Sequence, residues 1–187
     1  SKEETIAHLK KKRRYNINRQ LARILESPDS CVQLFRTPAE IDNFIARVVP
    51  VQEETYQNKI VETLANSAAV RELLRSGSQS DDVLCFTLEI GGQIAAFQIG
   101  RFAQSTYELC QMGFDRQFES MSPGMSLLYA SFDELALRGA KTLDFGPGDA
   151  QYKSVLATEV ENEHSIVAFG SGVFARLDSM VHSVTRS

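Results

Sequence analysis

The chain has 187 residues, 43% of them hydrophobic and 24% charged, which suits one soluble domain with a full core, or such a domain with an added helical segment. No apolar run approaches the roughly 18–20 residues of a membrane span and no secretory leader pattern opens the chain, so a cytoplasmic location is expected. The net charge of −4 hides an asymmetry, because residues 1–26 hold eight Lys/Arg against three Asp/Glu while the remainder holds twelve against twenty-one.

In the first segment, Ile6, Leu9, Ile17, Leu21, Ile24 and Leu25 give residues 3–26 a helical stripe that "SPD" at 27–29 ends. The basic run "KKKRRYNINR", residues 10–19, lies on this helix. It reads either as a patch for phosphate, nucleic acid or an acidic surface, or as a solvated face. "CVQLFR" is a short strand that stops at Thr37-Pro38. Ile41, Phe44, Ile45, Val48 and Val49 are helical again, with Pro50 expected to kink or end the helix. A further helical stretch through "EETYQNK" and "AAVRELLRS" reaches "SGSQSDD", the best internal boundary in the chain.

Beyond that boundary the texture changes. "VLCFTLEI", "QIAAFQIGRF" and "STYELCQMGF" are three β-rich runs, the first two joined by the hairpin signal Gly91-Gly92, and they predict an antiparallel meander. "SPG" at 122–124 opens a helix with Ser122 as cap and Pro123 at its first position, and Gly139 closes it. "KTLDF" is a strand, "DAQYKSVLA" a helix capped by Asp149, "EHSIVAFG" a strand and "GVFARLDSMVHSV" a terminal helix. These elements predict a mixed α/β sheet with helices packed on it, and a crevice at the carboxyl ends of diverging strands. Both helix starts, at 122–126 and 149–153, are expected directly after a strand. Lys153 in the opening turn of the second opposes the local helix field by about 0.3–1 kcal/mol, and an anion is the simplest group to offset that.

Cys31, Cys85 and Cys110 are odd in number and lie far apart, so they read as reduced, mostly buried thiols. The three histidines, His8, His164 and His182, suggest no nucleophile pair and no metal set; no metal is expected.

"RRYNINRQLARILE", "EETYQ", "GGQIAAFQIG" and "SPGMSLLYASFDELALRGAKTLDFGPGDAQYK" together resemble the acyl-CoA N-acyltransferase (GNAT) superfamily. Within it they resemble the branch that groups Fem-type peptidoglycan aminoacyltransferases with acetyltransferase-like domains of exopolysaccharide and cellulose biosynthesis. The resemblance covers residues 3 to 157. It implies one GNAT-like domain, with residues 1–80 its N-terminal helical part including the basic helix and 81–187 its sheet core. The C-terminal half of a longer tandem protein stays an open reading.

The resemblance also implies roles. The usual glycine-rich pyrophosphate loop is absent, and Ser122, Gly124, Met125 and Ser126 are its nearest equivalent for the coenzyme A phosphates. Tyr152 matches the tyrosine that protonates the departing thiolate, Lys153 the lysine of the Fem-type element, as a catalytic residue that neutralises phosphate or stabilises the oxyanion, and Asp144 stands where an amine is oriented or deprotonated. Arg13, Arg14, Arg19, Tyr56 and Gln57 are candidate substrate contacts. The implied activity is N-acyl transfer from acyl-CoA, such as acetyl-CoA, to a primary amine on a small molecule or glycan. Two alternatives stay open: a Fem-type transferase that takes its aminoacyl group from tRNA, and a non-catalytic GNAT-like binding module.

Overall fold

The computed structural model describes residues 2–54, 63–148 and 150–160. They form α1 (Lys2–Thr5), α2 (Lys11–Leu25), β1 (Cys31–Phe35), α3 (Pro38–Glu53), α4 (Ala68–Gln79), β2 (Val83–Ile90), β3 (Gln93–Ala103), β4 (Thr106–Phe114), a 3-10 turn (Arg116–Met121), α5 (Pro123–Leu137), β5 (Thr142–Asp144) and α6 (Gln151–Leu156). The five strands make one sheet in the order β1-β2-β3-β4-β5. The first three pairings are antiparallel and β4–β5 is parallel, as the sequence pattern predicts for a mixed, largely antiparallel sheet.

Both faces of this sheet are covered. Every residue of β2 is buried, so its run "VLCFTLEI" lacks polar alternation. On one face Cys85, Phe97 and Ile99 pack with Phe44, Ile45 and Val48 of α3 and Leu74 of α4. On the other, Leu84, Phe86 and Leu88 pack with Leu127 and Leu135 of α5 and Ile24 of α2. The β2–β3 hairpin closes on Gly91 and Gly92 at φ of 59° and 76°, the left-handed pair that a two-residue turn requires.

Four expectations need correction. The N-terminal helix is not continuous. It breaks between Thr5 and Lys11, where Leu9 N–H donates to Ile6 O in a turn that buries both side chains, and the stretch from His8 to Asn16 has no buried apolar residue except Leu9 to hold it straight. Pro50 does not end α3, which runs on to Glu53. The proline lies on the exposed side, and burial of Val48 and Gln52 on the other side carries the helix through. The helix before "SGSQSDD" does not stop at Ser76 but runs to Gln79. Gly77 and Ser78 stay helical in α4; glycine at 77 leaves room for Val83, which a Cβ there would approach within 2.6 Å, and the Ser78 hydroxyl donates to Arg75 O. Cys110 is exposed rather than buried. The expected cap Asp149, residues 55–59 of the "EETYQNK" stretch, and the last strand and helix lie outside the described residues.

Candidate active site

The sheet opens between its last two strands. β5 pairs with β4 over three residues only, Thr106 to Glu108 against Thr142 to Asp144, while β4 continues to Phe114. At the point where they part, β4 carries a bulge. Gly100 pairs with Leu109 and Ile99 with Gln111, so Cys110 is the additional residue. A bulge bends its strand, and here it leaves residues 109–114 with no pairing to β5. Among the described residues, one half of an inner strand thus presents backbone groups without a strand partner to the crevice.

Behind the bulge the sheet is pinned. Tyr107 is fully buried, and its hydroxyl donates to Leu84 O at 3.1 Å and accepts from Gln98 Nε2 at 3.2 Å. Its ring lies against Gly100, where a Cβ would come within 2.2 Å of the ring, so no other residue fits there. On the α3 side, the buried Gln52 donates from Nε2 to Gln111 Oε1 at 2.8 Å and accepts from Ala65 N at 3.1 Å. Gln111 of the splayed strand is thereby tied to α3 and to the turn that precedes α4. Neither glutamine stood out in the sequence, where each is one polar position in an apolar pattern.

Asp144, Tyr152 and Lys153 come together around the loop that leaves β5. Asp144 Oδ1 accepts from Gly146 N at 2.7 Å, and Lys153 Nζ donates to Gly146 O at 2.9 Å and to Pro147 O. Tyr152 stands edge-on to Phe145, with centroids 5.8 Å apart. The three side chains form a clasp on residues 145–147. The partners found for the Lys153 cation are thus two carbonyl dipoles. Tyr152 is half-buried, and burial pushes its phenol up from the ordinary tyrosine range.

The start of α5 differs from expectation in three ways. The 3-10 turn separates it from β4. Ser122 is left-handed at φ 46° and its side chain makes no cap bond, because that conformation turns the hydroxyl away from the helix amides. Ser126 N–H donates to Ser122 O at 3.1 Å in the first helical bond, and Ser126 is buried. Its amide is therefore not free for a phosphate, and Gly124 and Met125 carry the two amides with no acceptor inside the helix. Gly124 faces the splayed strand, 3.8 Å from Met112 Sδ and Phe114 Cδ1 as measured from an ideal Cβ. Met125 and Met112 share one apolar cluster with Phe145 and Tyr152, which links the α5 start to the clasp.

α2 lies across this region. Gln20 Nε2 donates to Met121 O at 2.7 Å, and Tyr129 of α5 hydrogen-bonds Asn18. Of the three candidate arginines, Arg13 faces α6. Arg14 donates to Ala7 O at 2.7 Å, and Arg19 stacks over Tyr15 at 5.7 Å, so neither joins it there. Tyr56 and Gln57 lie outside the described residues.

Residues 11–154 match the family described as Acetyltransferase (GNAT) domain. No curated protein matches the chain. An aminoglycoside acetyltransferase from an uncultured soil metagenomic sample, in complex with sisomicin, is 14% identical with a TM-score of 0.52, over 77% of this chain and 96% of that one. A ribosomal-protein-alanine N-acetyltransferase from Brucella melitensis biovar Abortus 2308 is 9% identical with a TM-score of 0.55, over 75% and 99%. AAC(6')-Iy in complex with the bisubstrate analog CoA-S-monomethyl-acetylneamine is 10% identical with a TM-score of 0.51, over 76% and 99%. At these identities the structural likeness concerns the fold.

Proposed function

Because the chain belongs to the acetyltransferase (GNAT) domain family, we propose that it carries an acyl group, acetyl in the simplest case, from acyl-CoA to a primary amine by direct attack. N-acetyl transfer comes with the family; the donor's seat, the acceptor and the residue roles are the proposal. The observation that carries it is the parting of β4 from β5 beside the bulge at Cys110, which opens a slot lined by strand backbone that has no strand partner among the described residues. The donor's amide-bearing arm suits such an edge, and its pyrophosphate suits the amides of Gly124 and Met125 at the start of α5. A neighbour of the same fold binds a bisubstrate analog built on CoA.

In the proposed reaction the amine nitrogen attacks the thioester carbonyl, a C–N bond forms and the C–S bond breaks. Tyr152 gives its proton to the thiolate. Burial suits it to this, since a phenol held above its ordinary range stays protonated at neutral pH. Asp144 accepts from Gly146 N through Oδ1, and its other oxygen is assigned to the ammonium of the acceptor, which passes one proton through that carboxylate to solvent before attack; the second proton, released from nitrogen as the amide forms, restores the Tyr152 phenol. Lys153 is a positioning residue that holds the loop through the Gly146 and Pro147 carbonyls. Amines of polysaccharide or cell-envelope precursors remain a candidate acceptor class, as does the tRNA-dependent chemistry of Fem-type enzymes. Both rest on the motif resemblance alone, whereas small-molecule amines find support in a neighbour seen with sisomicin.

Thermal unfolding with a panel of acyl-CoAs, followed by thiol release in the presence of amines, tests the reading. A donor at 100 times its dissociation constant is expected to add about 2.7 kcal/mol of stability. No stabilisation by any acyl-CoA, with no amine-dependent thiol release, overturns it.

A further inference from the structure

We propose that the cleft between the start of α2 and α6 is a binding site for a phosphate-bearing small molecule. The cleft has a volume of about 690 Å³. His8, Lys10, Lys12 and Arg13 line it on the N-terminal side, and Leu9 and Val155 give it an apolar floor and wall. Among the described residues, no carboxylate lines it.

The treatment of charge here departs from that elsewhere on the surface. Arg36, Arg75, Arg101 and Arg138 each have an acidic partner within 4.0 Å. Among the described residues, no ion pair or side-chain hydrogen bond engages Lys10, Lys12 or Arg13. Four adjacent cations, Lys10 to Arg13, open α2, where the helix end is itself positive, no acidic residue stands in the first turn and the Lys10 side chain makes no cap bond. Such a concentration of one sign repels itself unless an anion enters. The concave, partly apolar floor gives that anion a seat, which an evenly solvated helix face does not. A phosphate, with two negative charges and several acceptor oxygens, matches two lysines, an arginine and a histidine.

The site is also well placed. Ser154 and Val155, on the far wall, directly follow the clasp residues Tyr152 and Lys153 in α6. A ligand whose phosphate rests among Lys10, Lys12 and Arg13 has its remainder free to extend along α6 toward the reacting end. The phosphate belongs either to the nucleotide end of the acyl donor or to a phosphorylated acceptor. The proposal does not rest on the donor reading, since it concerns the phosphate alone.

The test is titration of the full chain with inorganic pyrophosphate and with adenosine 3′,5′-bisphosphate, followed by calorimetry and phosphorus NMR. Two variants are compared: Lys10→Gln/Lys12→Gln/Arg13→Gln, and Lys11→Gln/Arg19→Gln/Arg23→Gln, which removes three charges of the same helix outside the cleft. Unfolding curves show whether either variant has lost its fold. The cleft variant is expected to weaken both ligands by about tenfold or more, and the control variant by less than about twofold. Displacement of pyrophosphate by saturating coenzyme A identifies the donor as the source, and retention identifies the acceptor; either supports the site. Equal weakening in both variants, undiminished binding in the cleft variant, or binding of single-stranded RNA with no measurable affinity for the two small ligands overturns it. Should pyrophosphate bind there while no acyl-CoA stabilises the chain, the cleft stands and the donor reading fails.

Discussion

At the scale of single residues, the site depends on side chains that hold backbone in place. Lys153 is the example. Its ammonium binds Gly146 O and Pro147 O, so Lys153→Ala should release the loop after β5, lowering stability by about 1–2 kcal/mol in thermal melts. Lys153→Arg should restore little, because a planar fork does not converge on two neighbouring carbonyls as a tetrahedral ammonium does. Tyr152 gives a separable test. Tyr152→Phe keeps the edge-on contact with Phe145 while removing the proton, and turnover is expected to fall about 10²-fold with donor affinity little changed. In the native chain the alkaline limb of the rate profile should lie above the ordinary tyrosine range, since burial raises that phenol, and the variant should lack the limb. At position 100 the expectation is steric: a Cβ would overlap the Tyr107 ring, so Gly100→Ala should destabilise by about 1–3 kcal/mol or more in denaturant unfolding.

At the scale of elements, the sequence announced where strands and helices lie better than how they end. The meander was legible because β2, β3 and β4 are β-rich runs and Gly91-Gly92 has few other uses. The basic helix was legible too, whereas the cap that starts α3 was passed over although its partners are local. Thr37 and Glu40 form a capping box in which Glu40 accepts from the amides of Thr37 and Arg36, and those bonds hold its carboxyl below the usual range. A depressed carboxylate stabilises the fold above the unfolded-state value and loses that contribution as pH falls through the folded one. Acid titration of Tm should therefore show a loss below the ordinary glutamate range that Glu40→Gln flattens. What the sequence concealed depends on distant partners. Gly77 looked like a breaker and is a contact with Val83; Pro50 looked like a stop and lies on a face with room for it. The bulge at Cys110 and the bridge from Gln52 to Gln111 have no local signature, since both depend on register between separate elements.

For the whole molecule, the N-terminal helices are part of the core. Ile6, Leu9 and Leu21 pack in one cluster with Leu128, Tyr129 and Phe132 of α5 and Leu156 of α6. Leu21→Ala should cost about 2–5 kcal/mol, read from urea unfolding, a loss that a detachable basic arm would not show. The same packing fixes the charges of α2 against α6, so that the face of one helix becomes a wall of the cleft.

The half-paired strand has a consequence in time as well as in shape. Amide hydrogens locked between β3 and β4 exchange with solvent only through rare openings, whereas those of residues 109–114 that point toward β5 find no strand partner among the described residues. Alternate positions along one strand should therefore exchange at very different rates, a fast-slow pattern within six residues. A molecule that settles along that edge should slow the fast set and leave the slow set as it was. Deuterium uptake resolved to single amides would then trace the ligand's path through the sheet without any crystal of the complex.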